Sequence, residues 1–380
     1  MYTLYDYGGM IADHGRTRAY AESLKRLVTP ASVVVDIGTG TGVLALLAGR
    51  LGARKVYAIE PSDTIHFGRR VAAHNGLDER VEFIQAVSTQ VQLPEKADII
   101  VADIHGVLPA HQRSLFSIMD ARDRFLGSAG HVIPRRETLW VAIVDAAGLH
   151  HETVGVWGTN VFGVDMTAIR PTAMNTWHRT RMRPPDLITT PARWAMLDYA
   201  ELRSTDMRGD AAWGICEPRT AHGLAVWFDW DGGEGVTFSN SPLSGERHVF
   251  GQAFFPWPTP LLLCRGDEVR VQLRSDAVGS EYLYGWETTV HGKDGEPKAA
   301  FQQHDFLGQV LTSDRLRILS SSFTPTLNED GRIDQMILNG VASELRLEQI
   351  ARELSASFPH RFVGWTDALT RVSQVSSRYR

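Results

Sequence analysis

Residues 33–42 read VVVDIGTGTG, an apolar strand-like run that reaches Asp36 and passes into a turn with three glycines. Glycine permits positive φ angles and a close backbone approach to a ligand, both useful in a loop that binds a nucleotide. The spacing is G-x-G-x-G, whereas the dinucleotide fingerprint would need glycine where Val43 stands. The loop therefore predicts a nucleotide-like cofactor other than a nicotinamide dinucleotide.

A second acidic residue follows the next strand-like run. The segment KVYAIEPSD, residues 55–63, places Glu60 at a strand end, where the two hydroxyls of a ribose lie in a doubly wound sheet. Taken alone, Asp36 could cap a turn and Glu60 could be a solvated charge. Together they predict a cofactor site. Its members are Asp36, Gly38, Gly40, Gly42 and Glu60.

Three kinds of sequence pattern divide the chain. Strand-like and helical segments alternate in residues 1–134, which predicts a parallel sheet with helices on both faces. Residues 135–319 hold short aromatic and β-branched runs between glycines and prolines, which predicts an antiparallel β-barrel. In residues 320–380 polar turn residues lead into apolar side chains at helical spacing. The predicted fold is an α/β Rossmann-like domain, a β-barrel domain and a small helical module.

The composition indicates a globular protein that acts away from membranes. Of the 380 residues, 43% are hydrophobic and 22% are charged, and no long apolar segment stands out. The N-terminus lacks the features of a signal peptide, so we expect a cytoplasmic protein. The net charge of -5, without a long basic run, disfavours a nucleic-acid partner. The two cysteines have no metal-ligand spacing, and no metal is predicted.

The glycine turn and the acid after the next strand resemble class I S-adenosylmethionine-dependent methyltransferases. With MIADHGRTRAY, residues 10–20, the chain resembles the protein arginine methyltransferase family more narrowly. The resemblance implies S-adenosylmethionine as cofactor, with Arg16 at its carboxylate and Glu60 at its ribose. It also places Ser88 and Thr89 at the adenine. The further predicted cofactor-binding residues are Tyr7, Met10, Pro61 and Asp103.

The loop ADIHGVLPAHQRS, residues 102–114, departs from that family. Family members carry two glutamates here, which neutralise the substrate guanidinium. This chain has Asp103 at the first position and Gln112, without charge, at the second. Because a guanidinium stays cationic, it would lose half of its counter-charge. We therefore favour an N- or O-nucleophile of a small molecule or peptide, with His105 or His111 able to serve as general base.

Two alternatives to that acceptor stay open. The first is a protein arginine methyltransferase proper, in which a displaced acid such as Glu246 replaces the missing glutamate. The second is a non-catalytic cofactor-binding scaffold. The family's Thr-His-Trp loop reads here Arg247, His248 and Val249, and the resemblance pairs His248 with Asp13. A surface histidine is the alternative interpretation. The predicted catalytic set is Asp103, His105, Gln112, His248 and Asp13.

Two further segments carry predictions about assembly. NVFGVDM, residues 160–166, resembles the start of the family's barrel, and residues 167–186 would then form the arm through which a homodimer assembles. In the tail, RIDQMILNG, residues 332–340, predicts a short strand followed by helices. This pattern is similar to PqqD-type winged-helical modules, which bind peptides. A helical appendage is the alternative.

Overall fold

The protein is described from a computed structural model that covers residues 3–104, 106–310 and 312–379. It forms two compact units, one up to Val310 and the other over the remaining residues. In the described ranges, no helix is both long and apolar enough to cross a bilayer. The helices are α1 Leu4–Ala12, α2 His14–Leu27, α3 Val43–Arg50, α4 Ile65–His74, α5 Ser114–Phe125, α6 Ala147–Thr153, α7 Arg170–Ala173, α8 Ser313–Ile318, α9 Glu329–Ala342, α10 Leu347–Ser357 and α11 Trp365–Ser376.

The strands fall into a parallel group and an antiparallel group. They are β1 Val33–Ile37, β2 Lys55–Ile59, β3 Val81–Ile84, β4 Ala97–Ala102, β5 Leu126–Ile133, β6 Arg136–Val144, β7 Asn160–Val161, β8 Val164–Asp165, β9 His178–Thr180, β10 Ala192–Asp198, β11 Met207–Gly214, β12 Arg219–Asp231, β13 Thr237–Ser239, β14 Gln252–Leu263, β15 Glu268–Val278, β16 Glu281–His291 and β17 Pro297–His304.

The first five strands form a parallel sheet in the order β3-β2-β1-β4-β5. Every residue of β1 is buried, as expected for a parallel strand covered by helices on both faces. The chain moves outward from β1 in one direction through β2 and in the other through β4. A crevice opens at such a switch point, at the carboxyl ends of the strands. The Rossmann-like sheet predicted from the sequence is confirmed.

The antiparallel part consists of two sheets where the sequence predicted one β-barrel. One sheet has the order β10-β6-β12-β14-β9, with β13 paired to β12, and the other has the order β11-β15-β16-β17. Within the described residues their backbone ladders do not join into a closed barrel. Both sheets contribute to the same apolar core as the parallel sheet. The alternating burial along β15 shows how a strand contributes to this core, because one face of the strand packs inward and the other meets solvent.

All regular secondary structure among the described residues of the second unit is helical, and turns connect the helices. Helices α9, α10 and α11 pack on a core that includes Ile333, Ile350 and Val372. The predicted strand at residues 332–340 is wrong, since these residues lie inside α9. The helix begins where the side chain of Asn328 accepts a hydrogen bond from the N–H of Gly331 at 2.8 Å. The apolar run fits a helix because its buried residues are three or four positions apart.

Candidate active site

The turn between β1 and α3 places three glycines in the left-handed region. Gly38, Gly40 and Gly42 have φ angles of 70°, 55° and 87°. At Gly38 a Cβ atom would lie 2.2 Å from Cγ2 of Ile104, and at Gly40 it would lie 2.7 Å from Cε1 of Tyr7. Any larger residue would meet both the backbone strain and these neighbours. The turn therefore requires glycine for its angles and for space.

Asp36, near the end of β1, fixes this turn and the start of α3. Its Oδ2 atom accepts a hydrogen bond from Oγ1 of Thr39 at 2.5 Å and another from the N–H of Ala45 at 2.9 Å. Burial raises the pKa of Asp36 to about 7, because a buried site disfavours the charged carboxylate. Asp36 thus shapes the loop through its own hydrogen bonds, and a cofactor would meet the geometry that it sets.

Glu60 follows β2 and contacts the same turn. Its Oε2 atom accepts a hydrogen bond from the N–H of Gly40 at 3.1 Å, and its Oε1 atom accepts one from the N–H of Ser62 at 3.0 Å. The residue is buried. Each carboxylate oxygen has a further lone pair, so Glu60 can still accept hydrogen bonds from ribose hydroxyls. The structure therefore brings Asp36, the glycine turn and Glu60 together at one edge of the sheet.

The N-terminal helices α1 and α2 also reach this edge. The hydroxyl of Tyr7 in α1 lies 3.5 Å from Oγ1 of Thr64. In α2, Nη1 of Arg16 donates a hydrogen bond to the carbonyl of Met10 at 3.1 Å, and Nη2 forms an ion pair with Asp103. The Nε atom of Arg16 is buried and has no hydrogen-bond partner among the described residues. Arg16 therefore offers one N–H group to a ligand.

These groups fit S-adenosylmethionine. A buried N–H of a guanidinium needs an acceptor, and the carboxylate of an amino-acid-bearing cofactor supplies one. Burial lowers the pKa of Arg16, yet a guanidinium keeps its charge in proteins. The carboxylate of Glu60 beside a glycine turn suits a ribose. The residues present therefore fit a ligand with a carboxylate at one end and a nucleoside at the other.

The residues predicted at the adenine lie at the same edge of the sheet. Ser88 and Thr89 form a short 3-10 turn, Ser88–Gln90, that follows β3, the neighbour of β2. Ser88 is buried, and its carbonyl accepts a hydrogen bond from Nη2 of Arg124 at 2.7 Å, which holds the turn. Pro61 is exposed and directly follows Glu60. All of these residues follow parallel strands, whose carboxyl ends share one edge.

The loop after β4 carries the predicted acceptor residues. Asp103 follows the strand directly and pairs with Arg16. His105 lies outside the described residues. A Cβ atom at Gly106 would lie 3.1 Å from Cγ of His111, and burial lowers the pKa of His111, which favours its neutral imidazole. Gln112 is exposed and has a φ angle of 50°. The structure therefore places one carboxylate of this loop, that of Asp103, beside a guanidinium.

His248 and Asp13 form a buried pair between the antiparallel sheets and α2. Nδ1 of His248 lies 3.0 Å from Oδ1 of Asp13, and the N–H of Val249 donates to Oδ2 of Asp13 at 2.7 Å. Burial alone would raise the pKa of Asp13, but hydrogen bonds from His248, Val249 and Arg16 lower it. Nε2 of His248 lies 3.6 Å from Oε2 of Glu246. The pair thus ties the start of α2 to the loop before β14.

Two residues of this region were not predicted from the sequence. Thr39 donates to Asp36, and a hydroxyl three residues after a strand-end acid is a local signal that could have found it. Tyr20 donates from its hydroxyl to the carbonyl of Ala102 at 3.3 Å. Tyr20 lies four residues after Arg16 in the same helix, so the two share a face. That spacing was available in the sequence.

Two family models match separate parts of this chain. The model described as "Ribosomal protein L11 methyltransferase (PrmA)" matches residues 11–112, which include strands β1 to β4. The model described as "Arginine methyltransferase oligomerization subdomain" matches residues 135–280, which run from β6 to the end of β15. The two matches cover different parts of the first unit.

Curated relatives and solved structures agree with these models. The chain is 28% identical over 284 residues to protein arginine N-methyltransferase 6 of Xenopus laevis, which covers 71% of this chain and 81% of the relative. It is 30% identical over 262 residues to protein arginine N-methyltransferase 6 of Danio rerio, which covers 63% of this chain and 72% of the relative.

Among solved structures, the Trypanosoma brucei PRMT1 enzyme-prozyme heterotetrameric complex with AdoHcy is similar with a TM-score of 0.72. It is 21% identical and covers 78% of this chain and 96% of that chain. Protein arginine methyltransferase 10 of Arabidopsis thaliana has a TM-score of 0.69 and 22% identity, covering 80% of this chain and 97% of that chain. The similarity to these structures shows that this chain shares their fold.

The resemblance to arginine methyltransferases, first seen in residues 10–20 and the glycine turn, is confirmed by the matches along the first unit. They identify an enzyme, which goes against the non-catalytic scaffold considered above. The chain therefore belongs to the protein arginine methyltransferase family and is an S-adenosylmethionine-dependent methyltransferase.

Proposed function

We propose that the chain transfers a methyl group to an arginine side chain of a protein or peptide. The sequence favoured an N- or O-nucleophile of a small molecule or peptide other than a guanidinium, whereas the relatives are named protein arginine N-methyltransferases and favour the alternative. The observation that carries the proposal is the carboxylate of Asp103. Its side chain is 8% exposed, follows β4 directly and already pairs with one guanidinium, that of Arg16.

The site contributes mainly orientation. When bound, S-adenosylmethionine supplies the methyl group as a sulfonium cation. A carboxylate such as that of Asp103 orients a guanidinium through charge-assisted bidentate hydrogen bonds. Arg16 and Glu60 would hold the donor, and the His248–Asp13 pair holds α2 against the loop before β14. Alignment of the two reactants and exclusion of water then account for most of the rate that the protein provides.

A neutral or weakly basic acceptor is the second candidate, and Gln112 favours it. This residue stands where the family resemblance calls for a second glutamate, and its side chain carries no charge. A cationic acceptor therefore meets one carboxylate fewer from this loop. The acid Glu246 lies beside His248 with its side chain 64% exposed, and screening by solvent weakens it as a substitute.

The exchange of Gln112 for glutamate separates the two acceptors. If the acceptor is a guanidinium, Gln112→Glu restores a counter-charge and should raise methyl transfer to an arginine-rich peptide by about tenfold, the size of one charged hydrogen bond. If the acceptor is neutral, the added carboxylate faces no cation and transfer should fall. The measurement is the rate of methyl transfer to the peptide, followed by mass analysis of the modified residue.

The matched control is Gln112→Leu, which keeps a similar size without adding charge. We expect Gln112→Glu to raise the rate of methyl transfer to the arginine-rich peptide, and Gln112→Leu not to raise it. A wild-type enzyme that methylates a hydroxyl or a neutral amine, and leaves arginine peptides unmodified at saturating donor, would contradict the arginine proposal and select the second candidate.

We further propose a homodimer that uses the segment around the hairpin β7–β8. The apolar side chains of Val161, Phe162 and Val164 are exposed, and Phe162 at the tip is 104% exposed. The hairpin comes directly before residues 167–186, the arm expected from the sequence. Part of that arm is the strand β9, which pairs with β14. An exposed apolar cluster on one protruding hairpin favours contact with a second copy.

The change Phe162→Glu should therefore convert a dimer into a monomer, because a charge would be buried in an apolar contact. Sedimentation at micromolar concentration measures the result. Leu262→Glu is the matched control, since Leu262 is an exposed apolar residue on β14, and it should leave the dimer intact. Wild-type protein that sediments as a monomer would rule out this assembly.

The role of the C-terminal unit stays a prediction. Both matched family models end before it, at residues 112 and 280. The PqqD-type resemblance suggests a peptide contact, but its predicted strand at residues 332–340 lies in α9, so the three-helix core alone would have to make that contact.

A further inference from the structure

Tyrosine hydroxyls contact the chain on either side of the loop between β4 and α5, whose described residues are 103–104 and 106–113. Tyr20 of α2 donates to the carbonyl of Ala102 at 3.3 Å, directly before Asp103. Tyr284 of β16 donates to the carbonyl of Ala110 at 2.9 Å, two residues before Gln112. Both tyrosines are buried, so neither carbonyl has easy access to water as an alternative partner.

The orientation of Tyr20 is fixed by its other contacts. The indole Nε1 of Trp230 in β12 donates to the Tyr20 hydroxyl oxygen at 3.2 Å, and the two rings have centroids 4.7 Å apart. The guanidinium carbon of Arg16 lies 5.6 Å from the centroid of the Tyr20 ring. Tyr20 therefore contacts Arg16 through its ring and the residue before Asp103 through its hydroxyl. It therefore contacts one member of the Arg16–Asp103 ion pair and the residue that precedes the other.

The orientation of Tyr284 is fixed by contacts from both antiparallel sheets, because Phe255 belongs to β14 and Tyr284 itself to β16. Its backbone N–H donates to Oδ1 of Asp305 at 3.0 Å. Its ring packs against Trp177 and Phe255, with centroids 6.0 Å and 5.8 Å away. Burial raises the pKa of Tyr284, so the hydroxyl keeps the proton that it donates to Ala110. The far end of the loop thus depends on the packing of β16.

We propose that Tyr20 and Tyr284 are positioning residues that together set the geometry of the acceptor loop. The inference rests on the proposed function in one respect, namely that this loop receives the acceptor. The two hydrogen bonds hold the loop whichever acceptor the enzyme uses. Two rigid hydroxyls, one on α2 and one on β16, hold the backbone on either side of the segment that carries Asp103. Losing either hydroxyl leaves a buried carbonyl without its donor and releases that end of the loop.

Hydrogen exchange on the full chain, without substrate, tests the idea directly. Tyr20→Phe and Tyr284→Phe each remove one hydroxyl and keep the ring. We expect amides of residues 103–113 to exchange about 5- to 30-fold faster in each variant. Tyr199→Phe is the matched control, because Tyr199 is equally buried and its hydroxyl donates to Glu137 in β6 instead. Exchange of the same loop should be unchanged in this variant.

Kinetics give the second measurement. Both positioning variants should lower kcat for methyl transfer to an arginine-rich peptide about tenfold, since a loose loop loses alignment. KM for the donor should change less than twofold in Tyr284→Phe, because the lost hydroxyl contacts Ala110 and none of the groups assigned to the donor. Unchanged exchange in both variants, or equal acceleration by Tyr199→Phe, would overturn the inference. Should Tyr20→Phe fail to fold, Tyr284→Phe decides alone. If wild-type enzyme leaves arginine peptides unmodified, the proposed acceptor is wrong, and the exchange result still tests the two tyrosines.

Discussion

Replacing Asp103 with asparagine should lower kcat for methyl transfer by about 100-fold or more, because the loop loses its carboxylate. The amide keeps the size of the side chain and one acceptor oxygen, but it cannot neutralise a guanidinium or take a proton. Arg16 also loses the negative charge with which it pairs. Methyl transfer to an arginine-rich peptide at saturating donor measures kcat, and calorimetry reports donor affinity separately.

A matched exchange at the other end of the same strand provides the control. Asp98 in β4 is exposed, and its Oδ2 atom accepts a hydrogen bond from the N–H of Val33 at 2.8 Å. Asp98→Asn keeps an acceptor oxygen at that position, so its activity should equal that of the wild type. A kcat within twofold of wild type for Asp103→Asn would remove this carboxylate from the reaction.

Glu60→Ala should abolish tight binding of S-adenosylmethionine. The ribose hydroxyls would lose a charged acceptor worth about 1.5–3 kcal/mol, which weakens Kd roughly 10- to 150-fold. The change also removes the acceptor of the Gly40 N–H, so the glycine turn loosens. Calorimetric titration with the donor and with its demethylated product measures the effect.

Glu60→Gln separates charge from geometry, since it keeps an oxygen for the turn and loses the negative charge. We expect it to fall between wild type and Glu60→Ala. Glu82→Ala is the control, because Glu82 lies in the neighbouring strand β3, pairs with Lys55 at 2.7 Å and is half exposed. Its donor affinity should match wild type. Unaltered affinity in Glu60→Ala would place the ribose elsewhere.

The sequence by itself determined the parallel sheet and the composition of the cofactor edge. The run at residues 33–42 combines a fully buried strand with glycines whose positive φ angles no other residue adopts easily, so the local pattern carried most of the information. Glu60 could be assigned because β2 lies next to β1 and both strands end at one edge. The pairing of Asp13 with His248 came from family resemblance, and the two residues are 235 positions apart.

Other features could be decided only by the tertiary structure. The antiparallel strands were recognisable from β-branched and aromatic runs, but their division into two sheets depends on pairings between distant strands that no local pattern encodes. Residues 332–340 have an apolar pattern that suits a short strand or a helix, and packing against α10 and α11 selected the helix.

The acceptor loop shows the same division within a single site. Its acidic and amide residues, Asp103 and Gln112, can be read directly from the sequence. The contact from Tyr284 to Ala110 joins residues 174 positions apart, and no local sequence pattern predicts it. A side chain's chemistry is local, whereas the partner of a backbone carbonyl depends on which distant strand packs beside it. The sequence therefore predicted which charged and polar groups the candidate site contains, and only the tertiary structure decided what holds them in place.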